Sequence, residues 1–210
     1  MHKETALLYM SSQSIQAYCA DHPIVWHCRE DTYSGDVLTP TPAMSIFFNL
    51  LSERAALFTQ DDYWQYAKAS WADWIATLDA RVVIGLRARL DRNFYPSAID
   101  SLYVWALLVE TGLFTRCTID TVADAVGKTD ISVWPKLDSP AIKIGLRAGT
   151  RYCDARTDYK RQYRGAADGK MIDLVLDMNR DRAPGNKRWY NAKDIQPVID
   201  AATKAQAAIA

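Results

Sequence analysis

Apolar residues recur at helical spacing through most of the first half of the chain. Runs of this kind begin after Thr41-Pro42, after Asp61-Asp62 and after Ser97, where residues typical of helix starts precede the apolar positions. Pro96 predicts an interruption before the third run, because a proline disfavours helical conformation in the residue before it. The pattern therefore predicts a mainly helical region over residues 1–95.

Beyond Gly112 the apolar residues form short stretches bounded by turn residues. An extended segment begins at Thr118, and two strands follow at 130–134 and 141–147. A basic helix, an apolar strand and an Ala-rich helix come next, at 151–164, 171–178 and 194–208. From residue 97 onward the predicted order is therefore helix, three strands, helix, strand, helix.

These elements predict an α/β (α+β) fold class, with a helical N-terminal region over residues 1–95 and a core over residues 96–210. The two regions can form two domains or one compact domain, since 210 residues suit either arrangement. The contents of 49% hydrophobic and 24% charged residues are typical of a globular chain and not of a disordered one.

Several features favour a cytoplasmic protein. Residues 1–16 lack the basic start and long apolar centre of a secretory signal. No apolar run approaches the roughly 18 residues that span a bilayer. The four cysteines follow no disulfide-scaffold pattern. We therefore expect a reducing, cytoplasmic environment and no membrane partner.

Charge is balanced in total but divided along the chain. Residues 1–80 carry four Lys and Arg against ten Asp and Glu, whereas residues 141–190 carry twelve against six. A basic segment can mark a surface that binds nucleic acid. The two halves can equally attract each other, and the acidic N-terminal half also suits a basic protein partner.

Three side chains in the core region suit metal-dependent hydrolysis of a phosphodiester. Glu110 closes the predicted third helix, Asp130 begins a strand and Lys143 lies in the next strand. Mg²⁺ prefers oxygen ligands, which carboxylates on adjacent elements can supply, and a nearby lysine can orient water and stabilise charge in the transition state. Taken singly, the three residues are also explained as a solvated helix end, a turn residue and an edge-strand lysine.

In this order and spacing, residues 97–180 resemble the PD-(D/E)XK nuclease superfamily, whose core runs helix, three strands, helix, strand. The resemblance implies that Glu110 and Asp130 hold Mg²⁺ and that Lys143 assists the attacking water. The chain departs from the family at Ala141, two residues before the lysine, because alanine cannot bind metal. The acids that could supply the missing ligand from a neighbouring loop or strand are Asp120, Asp124 and Asp138.

Basic residues interleaved with tyrosines follow the predicted third strand. The candidate DNA contacts among them are Arg151, Arg156, Lys160, Arg161, Arg164, Lys187 and Arg188. Arginine binds phosphate bidentately and aromatic rings stack on unpaired bases, so these segments suit nucleic acid. Asp154 and Asp158 leave an alternative open, because they can pair with the arginines along a solvated helix face.

A further cluster holds the zinc-ligand residue types Cys19, His22, His27 and Cys28. Their spacing matches no common zinc module, and two of them are adjacent in sequence. We therefore expect chance clustering or core packing there and not a zinc site.

The leading hypothesis is a DNA-acting protein with a metal-dependent nuclease-like core, an endonuclease in restriction, repair or mobile-element processing. In this hypothesis the predicted basic helix grips phosphate. The alternative is a non-catalytic interaction or assembly subunit of a nucleoprotein or protein complex. Ala141 and the zero net charge favour the alternative, whereas the order of Glu110, Asp130 and Lys143 favours the enzyme.

Overall fold

A computed structural model describes residues 10–24, 39–119, 129–148, 171–177 and 188–207. The chain divides into two compact units, Met1–Ile99 with Pro184–Lys187 and Asp100–Ala183 with Arg188–Ala210. We call them the helical unit and the sheet unit. The predicted fold class is confirmed, since the protein is mixed α/β with a helical N-terminal region and a four-stranded mixed sheet. That residues 1–95 and 96–210 fold as separate domains stays a prediction.

The helices of the helical unit are α1 Ser12–Asp21, α2 Ala43–Arg54, α3 Gln60–Ser70, α4 Ala72–Ile75 and α5 Ala80–Arg89. α1 falls in a stretch whose pattern predicted no element. α3 begins with a capping box, in which the Thr59 hydroxyl accepts from the Asp62 N–H and the Asp62 carboxylate accepts from the Thr59 N–H. This cap explains why the second apolar run starts where it does.

Aromatic rings form the centre of the helical unit. The Phe47 ring is fully buried, and its centroid lies 4.7 Å from that of Phe58 and 5.6 Å from those of Tyr63 and Tyr95. The two tyrosine contacts are edge-to-face, which suits the quadrupoles of the rings. The Tyr63 hydroxyl donates to the Ala43 carbonyl and the Tyr95 hydroxyl donates to the Phe58 carbonyl, so both buried hydroxyls are satisfied.

A π-helix, Leu90–Phe94, joins α5 to α6, Tyr95–Glu110. The predicted interruption before Ser97 is therefore wrong, because Pro96 lies in the first turn of a helix that continues from α5. In an α-helix the Pro96 ring would meet the carbonyl four residues back. The π-helix spaces its hydrogen bonds five residues apart, which relieves that clash.

The strands of the sheet unit are β1 Arg116–Ile119, β2 Ile131–Trp134, β3 Ile142–Ala148 and β4 Met171–Leu176, in this order across the sheet. β1 pairs with β2, and β2 with β3, in antiparallel fashion, whereas β3 and β4 are parallel. The predicted basic helix at 151–164 lies outside the described residues. The last helix, α7 Ala192–Ala207, packs against β3 and β4. None of the helices in the described ranges is both long and apolar enough to cross a membrane.

Alternation along the strands gives the sheet an apolar and a polar face. The apolar face carries the buried side chains of Ile131, Val133, Ile144, Leu174 and Leu176. The polar face carries Ser132, Lys143, Gly145, Arg147 and Asp173. The register sets Ser132 beside Lys143 and Gly145 beside Asp173, so the polar residues of three strands form one continuous surface.

Candidate functional site

Asp130 lies at the entrance to β2, where the pairing with β3 is irregular. Its N–H donates to the Ile144 carbonyl at 2.9 Å, although the ladder already pairs Ile144 with Ile131. Two consecutive residues therefore oppose one residue on β3, as in a β-bulge. The Asp130 carboxylate turns towards β3 and accepts the Leu146 N–H at 2.6 Å. This bond satisfies a backbone donor beyond the end of the β2 ladder.

The Tyr190 hydroxyl marks the same end of β3. The residue is buried, and its hydroxyl donates to the Arg147 carbonyl at 3.2 Å. Burial raises the pKa of the Tyr190 phenol far above its usual value, and the negative charges of Asp100, Asp130 and Asp194 raise that pKa further. Carboxylates from α6, from the start of β2 and from α7 therefore lie close enough to act on one buried phenol.

Asp100 is the α6 acid whose charge raises the pKa of Tyr190. The residue is only 7% exposed, which is uncommon for an aspartate. In the sequence, Asp100 is the third residue after Ser97, a spacing that is typical of a helix cap. No cap is required there, because α6 continues from the π-helix and the Ser97 hydroxyl donates to the Asn93 carbonyl at 2.7 Å.

Glu110, the helix acid implied by the resemblance, lies at the opposite end of α6. Ten residues of helix, or about 15 Å, separate it from Asp100. Glu110 is exposed, and the chain after it leads to Thr115, whose N–H donates to the Trp134 carbonyl at 2.9 Å. The described contacts therefore connect Glu110 to the Trp134 end of β2, whereas Asp130 stands at the other end.

Lys143 lies on the polar face, beside Ser132. Continuing the same register sets Ala141 beside Trp134, also at the far end of β2 from Asp130. Three residues of strand, about 10 Å, separate Lys143 from Leu146, which donates to the Asp130 carboxylate. The part of β3 that contacts Asp130 is therefore the segment from Ile144 to Leu146, and Ala141 lies farther along the strand.

Asp173 on β4 is a further acid of the polar face, absent from the predicted site. Its carboxylate lies 3.8 Å from Nε of Arg147, and the two side chains are 12% and 26% exposed. An ion pair so little exposed is less screened than a surface pair. The sequence gives no sign of it, because a single aspartate inside an apolar strand becomes meaningful only once the register places Arg147 near it.

Of the acids proposed as substitutes for Ala141, Asp138 alone lies in the described ranges. Asp138 is exposed in the turn after β2, and Asp120 and Asp124 lie outside the described residues. Across the described ranges, no group of three or more His, Cys, Asp or Glu side chains is arranged to hold a metal ion.

Half of the cysteine and histidine cluster falls in the described ranges. Cys19 is buried in α1, and His22 follows the helix with its ring stacked on Tyr18 at a centroid distance of 4.3 Å. His27 and Cys28 lie outside the described residues. The absence of zinc from this cluster stays a prediction.

Of the predicted DNA contacts, Arg188 alone lies in the described ranges, half-buried ahead of Trp189 and Tyr190. The others, Arg151, Arg156, Lys160, Arg161, Arg164 and Lys187, lie outside them. The cations that the described polar face contributes are the half-buried Lys143 and Arg147 on β3 and the exposed Arg116 on β1, whose guanidinium lies over the Trp134 ring.

Comparisons of the chain with protein-family models, with curated proteins and with solved structures find no match. The interpretation of the site therefore rests on its own geometry and chemistry.

Proposed function

We propose that this protein acts on DNA through a nuclease-like core in its sheet unit. The order of elements supports the proposal, because α6 precedes three strands and β4 returns parallel to β3. This is the arrangement of helix, three strands and later strand that the resemblance to PD-(D/E)XK nucleases implies, with residues 149–170 outside the described ranges.

The observation that carries the proposal is that Asp130 and Tyr190 meet neighbouring residues of β3, since the Asp130 carboxylate accepts the Leu146 N–H and the Tyr190 hydroxyl donates to the Arg147 carbonyl. The buried Asp100 on α6 joins them through its charge, which raises the pKa of Tyr190 as that of Asp130 does. The resemblance expects one acid from the helix before the strands and one from the start of the second strand, and these two acids come from those elements. Groups whose pKa values are shifted by burial and by neighbouring charges concentrate at functional sites. In this proposal Asp100 takes the place expected for Glu110.

The cations of the polar face suit the phosphodiester backbone. Arg147 and Lys143 project from the same face of β3, and both residue types bind phosphate oxygens. Asp173 pairs with Arg147 in the protein alone. A DNA phosphate therefore competes with Asp173 for the guanidinium, which makes the interaction weaker and more sensitive to salt than that of an arginine without a carboxylate beside it.

Mg²⁺ does not fit the described residues on their own. The ion takes six oxygen ligands, and the Asp130 carboxylate already accepts the Leu146 N–H. The described part of the chain also holds no group of three suitable side chains. The described residues therefore assign no step of the proposed chemistry to Mg²⁺. The chain's own contribution is two acids and a buried phenol at one end of β3, where the phenol donates to the Arg147 carbonyl.

A second candidate function is favoured by the bond between Asp130 and Leu146. In a non-catalytic interaction or assembly subunit, the Asp130 carboxylate has a structural role and ends the β2–β3 ladder. The same polar face then holds nucleic acid without cutting it, and the acidic N-terminal half binds a basic partner protein. A cytoplasmic location stays a prediction for both candidates.

A cleavage assay on single- and double-stranded DNA with Mg²⁺ or Mn²⁺ separates the two candidates. The variants are Asp100→Asn and Asp130→Asn, with Asp200→Asn as the control because Asp200 is an exposed acid on α7 in the same unit and has no proposed role in the site. Asparagine at position 130 keeps an oxygen that accepts the Leu146 N–H. Metal-dependent cutting that both variants lose and the control keeps supports the nuclease. Loss in Glu110→Gln but not in Asp100→Asn would return the helix acid to Glu110.

DNA affinity measured against salt concentration tests phosphate contact in either candidate. Lys143→Ala and Arg147→Ala should each reduce the slope of log affinity against log salt by about one. Lys136→Ala is the matched control, since Lys136 is exposed in the turn after β2. Salt-dependent binding without cutting supports the assembly subunit. Wild-type protein that neither cuts nor binds DNA contradicts the DNA-acting proposal and leaves a role in protein assembly alone.

A further inference from the structure

The helical unit contains a cavity of about 370 Å³ that the nuclease-like proposal does not use. One part of its wall is apolar and includes Pro23, Ile24 and Tyr95. Another part is polar and comes from α3, α5 and the π-helix, through Asp61, Arg87 and Asp91. A cavity of this size and mixed lining suits a small molecule.

The π-helix sets the position of Asp91 in this wall. The Tyr95 N–H donates to the Leu90 carbonyl, which releases the Asp91 carbonyl from the hydrogen bonding of the helix. The side-chain amide of Gln60 on α3 donates to that carbonyl. The irregular turn is thereby tied to the start of α3, and the Asp91 side chain is held on the same wall as Asp61.

The polar wall has more negative than positive charge. Nη2 of Arg87 lies 2.8 Å from Oδ1 of Asp61, and Nε of Arg87 lies 3.5 Å from Oδ2 of Asp91. One guanidinium is thus shared between two carboxylates. Oδ1 of Asp91 is buried and has no hydrogen-bond partner in the described part of the chain. Burial raises the pKa of Asp91 and the charge of Arg87 opposes this only in part, so the carboxylate is poorly compensated.

His22 adds a further hydrogen-bond acceptor to the lining. Its Nδ1 lies 3.1 Å from the Tyr18 carbonyl oxygen, and a carbonyl can only accept, so Nδ1 carries the hydrogen. When the ring carries one hydrogen, Nε2 is then an acceptor. The carboxylates of Asp61 and Asp91 are further acceptors of the lining, which holds a single guanidinium.

We infer that this cavity binds a small organic cation, an amine or guanidine whose N–H groups donate to Asp91 and Asp61 while its carbon chain packs on Pro23 and Ile24. Oδ1 of Asp91 is buried, so a ligand would meet this carboxylate at Oδ2, in competition with Nε of Arg87 at 3.5 Å. An anion would be repelled by both carboxylates. A neutral molecule would leave the charge of Asp91 as poorly compensated as before.

Calorimetric titration of the full chain with agmatine and with n-butylammonium tests the inference, and N-butylurea is the neutral probe of similar length. Both cations should bind saturably, and N-butylurea should bind at least about tenfold more weakly, a difference of about 1.4 kcal/mol. Asp91→Asn should weaken agmatine binding about tenfold or more. Asp73→Asn, which changes an exposed acid on α4 in the same unit, should leave it unchanged.

A second variant should change the affinity for agmatine in the opposite direction. Arg87→Gln removes the cation that competes for the two carboxylates, so agmatine should bind it more tightly than it binds wild type. Circular dichroism and thermal melting establish that each variant is folded. Equal affinity for N-butylurea, unchanged affinity in folded Asp91→Asn, weaker binding in folded Arg87→Gln, or no saturable binding of either cation by wild type would each overturn the inference.

Discussion

The two units position their charged side chains in different ways. In the sheet unit, Lys143 and Arg147 stand on one face because side chains alternate along a strand. In the helical unit, Asp61, Arg87 and Asp91 come from three separate elements and meet only in the folded chain. This difference determines which polar sites can be predicted from the sequence pattern. The alternation of residues along a strand predicts its polar face, whereas no local pattern predicts which side chains line a cavity between helices.

Their stability also rests on different contacts, and the largest expected effect tests the aromatic centre of the helical unit. Phe47→Ala should destabilise the protein by about 3–5 kcal/mol, because it leaves a cavity among Phe58, Tyr63 and Tyr95. Chemical denaturation followed by circular dichroism measures the change. Ile84→Ala, at a residue that is 70% exposed, is the control and should cost less than about 0.5 kcal/mol. Equal effects in the two variants would show that the ring cluster is not the centre of this unit.

The next effect concerns the end of the β2–β3 ladder. Asp130→Ala removes the acceptor of the Leu146 N–H and should cost about 1–3 kcal/mol, because a backbone donor loses its partner. Asp130→Asn keeps an oxygen acceptor and should cost clearly less. Denaturation of both variants under the same conditions measures the difference. An Asn variant as unstable as the Ala variant would show that the charge of Asp130, and not its hydrogen bond, supports the fold.

Local pattern predicted much of the sheet unit. The strands at 130–134 and 141–147, and Asp130 at the start of the former, could be read from apolar alternation and turn residues. Local pattern could not predict the register between the strands, which decides which residues lie opposite each other. Ala141 and Lys143 therefore looked like the neighbours of Asp130, although the hydrogen bond runs to Leu146.

Non-local contacts explain what the sequence pattern missed. Asp100 becomes noticeable only through its burial and its effect on Tyr190, ninety residues later in the chain. Pro96 predicted a helix end because a proline disfavours helical conformation in the residue before it, yet Tyr95 is helical. The π-helix at Leu90–Phe94 relieves a different clash, that of the Pro96 ring with the carbonyl four residues back. The irregular turn in its place holds Asp91 in the wall of the cavity, where no local pattern marks it.

A smaller effect is expected at the cap of α3. Asp62→Asn should cost about 1 kcal/mol, since the carboxylate accepts from both the N–H and the hydroxyl of Thr59. These hydrogen bonds, and to a smaller extent the nearby Arg54, hold the pKa of Asp62 below its usual value of 3.8. Wild type should therefore lose this contribution as the pH falls below 3.8 and through the lowered pKa, and Asp62→Asn should not. Parallel pH profiles of stability for the two proteins would contradict the assignment.

Asp91 should make the smallest contribution to the pH dependence of stability, and its sign should be opposite to that of Asp62. Burial raises its pKa above 3.8, against the lowering influence of Arg87 and Arg92, and the charge of Asp61 raises it further. Between 3.8 and the raised pKa the unfolded chain releases a proton that the folded chain keeps, so the contribution of Asp91 to stability falls as the pH rises through this window. The stability of wild type minus that of Asp91→Asn should therefore decline over the same interval, as measured by denaturation at a series of pH values.

At neutral pH, the effect of agmatine on the melting temperature tests whether the cation binds in the helical unit. A cation that binds the folded cavity stabilises wild type by an amount that rises with the logarithm of its concentration relative to its Kd. It should raise the melting temperature of Asp130→Asn equally, because that change lies in the sheet unit. Asp91→Asn should gain much less from the same agmatine concentration. A melting temperature that agmatine raises equally in Asp91→Asn and in wild type would show that the stabilising cation binds elsewhere, and the acidic wall of the helical unit would then be a structural ion-pair network only.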